Sequence, residues 1–167
     1  MKKDIMHYII FGIIFICVLF AAWWGFYAPA SFSLQLLDRR SNEIIFETEV
    51  IPGDELCLEI EHSFEHIPWF EYYTILSDTR IRLDAIAVAG YGAGIPAEMD
   101  VPTRIEDGLI WMEEINSYFN EFKWLTSNNY MKEFSLNGTT IFDFRTLPDA
   151  SLILGRIIIR KGHFSNG

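Results

Sequence analysis

Two histidines and a glutamate lie close together in the segment His62-Ser63-Phe64-Glu65-His66. In written order, His62, Glu65 and His66 match the inverted zinc-protease signature, in which two histidines hold zinc beside a catalytic glutamate. That chemistry requires a helix, and Pro68 would disrupt a helix one turn further on. The alternation of the preceding residues predicts instead a continuing strand, with the two histidines on one face and Glu65 on the other. A zinc site there lacks an obvious third ligand, so we predict hydrogen-bonded structural histidines and no bound metal.

Two further patterns in this segment could support catalysis. Glu65 and Glu71, with Glu61 nearby, could act as a paired acid and base. In a chain this acidic, such a cluster is more often a solvated face. Ser63 adjoins His62, but adjacent residues of a strand point to opposite faces, which places them poorly as nucleophile and base. We therefore predict no catalytic residues and no enzyme activity.

A second unusual segment lies further on and reads Tyr91-Gly92-Ala93-Gly94-Ile95-Pro96. Its glycines resemble part of a phosphate-cradling loop, but the lysine and the following helix of that motif are absent from the sequence. Glycines of this kind also serve where two segments cross too closely for a side chain. We predict this role and no cofactor.

Alternating apolar and polar residues predict the strands that would position both segments. Turn signals are Pro52-Gly53 and Asn137-Gly138, of which Asn-Gly suits a type I′ hairpin. A short helix is predicted over Glu113–Glu121 and a bulge at Gly155. These elements predict a mainly β fold, a single antiparallel β-sandwich or barrel-like domain over residues 32–162. The predicted strands are Phe32–Leu36, a strand that begins at Ile44–Phe46 and ends before Pro52, Leu56–Ile60, Thr79–Val88 with a slip before Ile86, Leu109–Met112, Lys123–Thr126, a hairpin over Phe134–Ile141, and Ile153–Ile159.

An apolar run from Ile5 to Tyr27 precedes this domain. About twenty apolar residues match the hydrocarbon layer of a bilayer, so residues 5–27 are predicted to form a transmembrane signal-anchor helix. The alternative is a cleaved signal peptide, since Ala28-Pro29-Ala30 resembles a cleavage site. The run is longer than a typical signal peptide core, which favours the retained anchor. Lys2 and Lys3 favour a cytoplasmic N-terminus and an extracytoplasmic domain on a single-pass cell-membrane protein.

The net charge argues against nucleic-acid binding, and the positions of the two cysteines argue against a disulfide bond. The formal net charge is −10, which argues against nucleic acid as a partner because phosphates require a basic surface. Cys17 lies in the apolar run and Cys57 in a predicted strand, so the two are not expected to pair. Cys57 is predicted to be a small core residue.

The order of these features resembles the bacterial and archaeal family called domain of unknown function 1850. Its members carry a similar His-Ser, Glu, Pro, Glu run, followed by a Gly-Ala-Gly-Leu-Pro-like loop. Two residues depart from this pattern: His66 stands where a lysine or another polar residue is expected, and Ile95 replaces leucine. The resemblance spans roughly Ser33 to Arg160, with the region from Trp111 to Tyr130 poorly covered. The residues that carry the resemblance are Pro52, Gly53, His62, Ser63, Glu65, Pro68, Glu71 and Tyr91–Pro96.

Members of that family are typically small, exported or membrane-anchored, and encoded beside TRAP transporters of the TAXI type. The resemblance thus implies a non-enzymatic accessory or interaction subunit of such an uptake transporter, with the TRAP permease or its solute-binding protein as partner. The alternative is an extracytoplasmic β domain that binds a small ligand or a metal, and side chains converging in a concave site would favour it. Either way the expected interaction surface comprises His62, Ser63, Glu65, Pro68, Glu71, Tyr91, Gly92, Ala93, Gly94 and Pro96.

Overall fold

The structure is a computed structural model, and it describes residues 2–26, 31–92 and 99–160. Within the N-terminal helix, side chains are described for Met6, His7 and Ile10–Phe20. Residues 32–159 form one compact unit, and the helix belongs to a second. Each unit is treated by itself below.

The N-terminal unit contains helix α1 (Lys2–Phe26). Its described side chains from Ile10 to Phe20 are all exposed. Across the part of the chain that the structure describes, no helix is both long enough and apolar enough to cross a membrane. The transmembrane helix predicted over residues 5–27 is therefore not supported by the structure.

The second unit is built from two β-sheets, and every strand pair with a described register is antiparallel. One sheet has the order β2-β1-β12-β9, and the other β11-β10-β3-β4-β5-β7-β6, with β8 paired to β5. Neither sheet closes on itself among the described strands. The mainly β, antiparallel prediction is confirmed. The strands are β1 (Ser31–Asp38), β2 (Ile44–Val50), β3 (Glu55–Glu61), β4 (Pro68–Ile75), β5 (Ile81–Val88), β6 (Thr103–Glu106), β7 (Leu109–Met112), β8 (Ser117–Phe119), β9 (Glu121–Leu125), β10 (Met131–Leu136), β11 (Thr139–Asp143) and β12 (Leu152–Arg160).

The two sheets bury their apolar residues in one shared core. Side chains on one face of each strand point inward because successive residues of a strand alternate between faces. The smaller sheet contributes Leu34, Leu36, Phe122, Ile153 and Ile157, and a short 3-10 helix after β11 (Phe144–Thr146) adds the fully buried Phe144. The larger sheet contributes Leu56, Leu58, Trp69, Tyr73, Ile75, Ile81, Leu83, Ile86, Val88, Ile110, Met112, Met131 and Phe134.

The predicted slip in β5 is a β-bulge. Tyr72 pairs with Ala85 but Tyr73 pairs with Leu83, so Asp84 is the extra residue. The Asp84 carboxylate accepts a hydrogen bond of 2.5 Å from the Thr74 hydroxyl. An uninterrupted alternation would have turned Ile86 outward. Because of the bulge, Ile86 faces the core.

Two predicted turns are also confirmed, and a similar one was missed. Asn137 and Gly138 have φ of 48° and 76° and join β10 to β11, and Gly53 has φ of 98° between β2 and β3. Asp107-Gly108 joins β6 to β7 with φ of 52° and 77°. This dipeptide is a hairpin signal of the same kind, so the hairpin could have been predicted.

Three local predictions were wrong. The region 113–121 is not a helix: Glu114 and Asn116 have positive φ, and the following strand β8 pairs with β5. Pairing to a sheet edge outweighs the helical spacing of the aromatic residues. Gly155 is not a bulge in the pairing with β9, whose register runs through it without a break. Cys57 is half-buried on the face of β3 opposite the core.

Candidate functional site

The histidine-containing segment at residues 62–67 forms a loop. The prediction that it continues the preceding strand was wrong. Strand β3 ends at Glu61, and residues 62–67 connect it to β4. The loop is closed by backbone hydrogen bonds from the His62 amide to the Ile67 carbonyl, at 2.8 Å, and from the His66 amide to the His62 carbonyl, at 2.9 Å. His66 has φ of 54°, which reverses the chain.

The two histidines have separate partners. Nδ1 of His62 accepts a hydrogen bond of 3.2 Å from the Glu65 amide, and the His62 ring stacks on Trp69 with centroids 6.1 Å apart. Nδ1 of His66 lies 2.9 Å from Oε1 of Glu61. Both rings therefore hold the loop in shape. In the described residues, no three histidine, cysteine or acidic side chains are grouped so as to hold a metal ion.

Glu61, the last residue of β3, belongs to a small cluster of charged side chains where the 62–67 loop begins. Its second carboxylate oxygen lies 3.1 Å from Nζ of Lys132. The hydrogen bond from His66 and the nearby Lys132 lower the pKa of Glu61 below its ordinary value. The negative charge of Glu61 is thus balanced by neighbours on the protein.

The structure brings the two sequence segments into contact through Glu65 and Gly92. A side-chain carbon built on Gly92 would overlap the Cγ of Glu65 and lie 2.5 Å from its Oε1. Two residues before Gly92, a side-chain carbon on Gly90 would lie 3.4 Å from Cδ1 of Ile67. The predicted crossing therefore occurs at Gly92. Ala93, Gly94 and Pro96 lie outside the described residues.

Glu71 lies on the core-facing side of β4, away from the loop contact. It is paired with Leu58 on one neighbouring strand and Ile86 on the other, both of them buried. Its Oε1 accepts a 3.2 Å hydrogen bond from Nε1 of Trp69, and its Oε2 accepts from the Tyr73 hydroxyl. Burial and then the charge of Glu71 raise the pKa of Tyr73, so this hydroxyl remains a donor.

A cavity of about 530 Å³ opens beside Glu71, between the end of β3 and the connection from β9 to β10. Its walls are aromatic and aliphatic, with a few polar groups, as in many ligand sites. Of the predicted residues that the structure describes, His62, Ser63 and Glu71 line it. The remaining lining residues are Leu58, Ile60, Glu61, Trp69, Trp124, Leu125, Ser127, Tyr130 and Met131.

The predicted interaction surface thus falls into two parts. His62, Ser63 and Glu71 line the cavity, whereas Glu65 and Gly92 form the loop contact. Pro68 is exposed and begins β4, and Tyr91 is exposed beside Gly92.

Sequence reasoning missed the aromatic walls of the cavity. Trp69 could have been found, because Trp69, Glu71 and Tyr73 recur at every second residue, which is the spacing of one face of a strand. Trp124 and Tyr130 lie more than fifty residues further along. Trp124 reaches the cavity from β9 in the smaller sheet, and Tyr130 lies just before β10, which pairs with β3. No local pattern marks them.

Of the comparisons with known proteins, the one with protein-family models agrees with the sequence resemblance. No curated protein and no solved structure matches the chain. A family model described as domain of unknown function (DUF1850) matches residues 57–142, which include both the 62–71 segment and the 91–96 loop. This match covers just over half of the chain, and the chain therefore belongs to the DUF1850 family.

Proposed function

We propose that the chain is a non-enzymatic, membrane-anchored accessory subunit of a TAXI-type TRAP uptake transporter. Its β domain would contact the TRAP permease or its solute-binding protein outside the cytoplasm. The observation that carries the proposal is the contact between the two motif segments, in which Gly92 lies directly against Glu65. Family membership adds to it, because the resemblance implies members encoded beside such transporters.

The segment contact presents a surface suited to binding another protein. Phe64 is 74% exposed and Tyr91 is 60% exposed, each next to one of the two touching residues. Large aromatic side chains are enriched where proteins bind one another. The expected contact surface is therefore Phe64, Glu65, Tyr91 and Gly92.

The membrane anchor rests on the sequence. Counted over its full sequence, the run from Ile5 to Tyr27 is almost wholly apolar and about as long as the hydrocarbon layer of a bilayer requires, although no helix among the described residues meets both requirements. Every described side chain from Ile10 to Phe20 is also exposed. An anchor would hold a weak binder near its transporter and raise its local concentration without any added contact.

The test is co-purification from detergent-solubilised membranes. The tagged full-length chain would be expressed with a TAXI-type permease and its solute-binding protein, and mass spectrometry would identify what is recovered. Changing both Phe64→Ser and Tyr91→Ser should reduce recovery about tenfold, as expected for losing more than 1 kcal/mol at an interface. The control is Ile105→Ser on β6, since Ile105 is also 74% exposed.

Two outcomes would contradict this proposal. If neither transporter component is recovered with the unmodified chain, the accessory role is wrong. If the chain is found in the soluble fraction, the anchor is wrong. Equal losses for Ile105→Ser and the double variant would move the contact away from Phe64 and Tyr91.

A second function is favoured by the cavity, namely a domain that binds a small ligand. His62, Ser63 and Glu71 converge on a concave site of about 530 Å³ and do not lie on a flat face. Pockets of this size, with apolar walls and few polar groups, commonly hold small molecules. A metal has less support as the ligand, since the described residues contain no group of three potential ligands.

A further inference from the structure

The charge of Glu71 has no cationic partner in the described part of the chain. Its two hydrogen bonds come from uncharged donors, Nε1 of Trp69 and the Tyr73 hydroxyl. Glu61, at the mouth of the same cavity, is paired with Lys132 and His66. Glu71 is half-buried, and a carboxylate that loses part of its hydration is stabilised by a cation beside it. The cavity therefore has one carboxylate whose counter-ion is left for a ligand to supply.

The walls of the cavity favour the same kind of ligand. Trp69, Trp124, Tyr130 and His62 line it together with aliphatic side chains. The faces of aromatic rings attract cations, most strongly those of tryptophan. Aliphatic walls favour a ligand that also carries apolar surface. Two carboxylates at one cavity disfavour an anionic ligand.

We propose that this cavity binds a small organic ammonium ion, an amine with an apolar body. Glu71 pairs with the ammonium group, and Trp69, Trp124 and Tyr130 enclose the apolar part. The proposal rests on the second function proposed above, because it names the class of ligand for that cavity. It does not depend on the transporter partnership.

The test measures ligand binding to the purified full-length chain in detergent, by ligand-observed NMR and calorimetry. The probes are phenethylamine, its uncharged counterpart 2-phenylethanol, and the anion 3-phenylpropionate, with choline as a second cation. Phenethylamine should bind at least tenfold more tightly than 2-phenylethanol, and 3-phenylpropionate more weakly still. The alcohol matches the amine in shape, so the difference isolates the charge.

The variants locate the charge at Glu71. Glu71→Gln keeps the size of the side chain and should remove the preference for the amine over the alcohol. The control Glu49→Gln makes the same charge change at an exposed position of β2, outside the cavity lining, and should keep the preference. If Glu71→Gln does not fold, Tyr130→Leu serves instead, since it keeps apolar volume but removes the ring. It should weaken amine binding several-fold and alcohol binding less, because only the ammonium group loses its attraction to the ring face.

The outcomes separate this inference from the functions proposed above. Tighter binding of 2-phenylethanol or 3-phenylpropionate would keep a ligand site but overturn the ammonium assignment. Absence of binding by either amine to the folded chain would overturn it as well. If the unmodified chain binds no amine and Glu71→Gln loses transporter recovery, Glu71 pairs with a basic side chain of the transporter partner instead. Amine binding without any transporter recovery would leave this inference standing alone.

Discussion

The interior between the two sheets is tightly packed in one region and open in another. In the packed region the rings of Phe122, Phe134 and Phe144 contact Trp124, with centroids 4.6 to 5.6 Å from that of Trp124. In the open region Trp124 also lines the cavity that contains Glu71. One side chain thus belongs to both regions. The comparison shows that aromatic content alone does not distinguish a packed core from an open cavity, whereas the inward carboxylate of Glu71, which has no cationic partner among the described residues, does.

The largest expected effect is in the packed region. Phe134→Ala removes a fully buried ring and should lower the free energy of unfolding by about 3–5 kcal/mol. Tyr130→Ala removes a half-buried cavity wall and should cost about 1 kcal/mol, as an average substitution does. Urea unfolding followed by tryptophan fluorescence measures both. Equal losses would show that the cavity wall is packed as tightly as the core.

The next effect tests how closely β12 approaches the packed region. A side-chain carbon on Gly155 would lie 3.0 Å from Phe122, 3.2 Å from Leu36 and 3.3 Å from Trp124. Gly155→Ala should therefore lower the free energy of unfolding by about 1–3 kcal/mol through overpacking. Gly90→Ala is the control, because its nearest contact is an ordinary 3.4 Å. A neutral result at Gly155 would show that the packed region can relax.

A smaller effect is expected at the turn that precedes β11. The Asn137 side chain accepts a hydrogen bond from the Glu55 amide and donates one to Asp54, each at 2.9 Å. Asn137→Ala loses both bonds and places alanine at a positive φ, which should cost about 1–2 kcal/mol in the same urea assay. Amine binding should be unchanged, since this turn is not part of the cavity lining. Asn129→Ala, at an exposed position, is the control.

The smallest effect is a pH dependence at the mouth of the cavity. His66 and Lys132 lower the pKa of Glu61 in the folded state below the ordinary value of 4.5. Glu61 therefore stabilises the fold above pH 4.5, and this contribution is lost as the pH falls through the lowered value. Glu61→Gln should be less stable than the unmodified chain at pH 7 and approach it as the pH falls toward 3. A constant difference in urea midpoint across this range would contradict the ion pairs.

The sequence predicted the strands well but not the site. Period-two alternation identified β1, β3 and β5, and the slip before Ile86 marked the bulge at Asp84, because both are local properties of the chain. The loop at residues 62–67 was missed because its strand ends one residue before the histidines and no glycine marks the turn. The cavity was missed because long-range pairing assembles it.

Cys57 has a consequence for chemistry in an oxidising compartment. Burial and the neighbouring carboxylates raise the pKa of its thiol to about 11, against an ordinary value of 9.0. Because the thiolate is the reactive form, and its higher nucleophilicity offsets only part of its lower population, alkylation and mixed-disulfide formation at neutral pH should be about tenfold slower than for an unperturbed thiol. A single cysteine in the β domain can thus stay reduced under oxidising conditions, with no second cysteine in that domain to protect it.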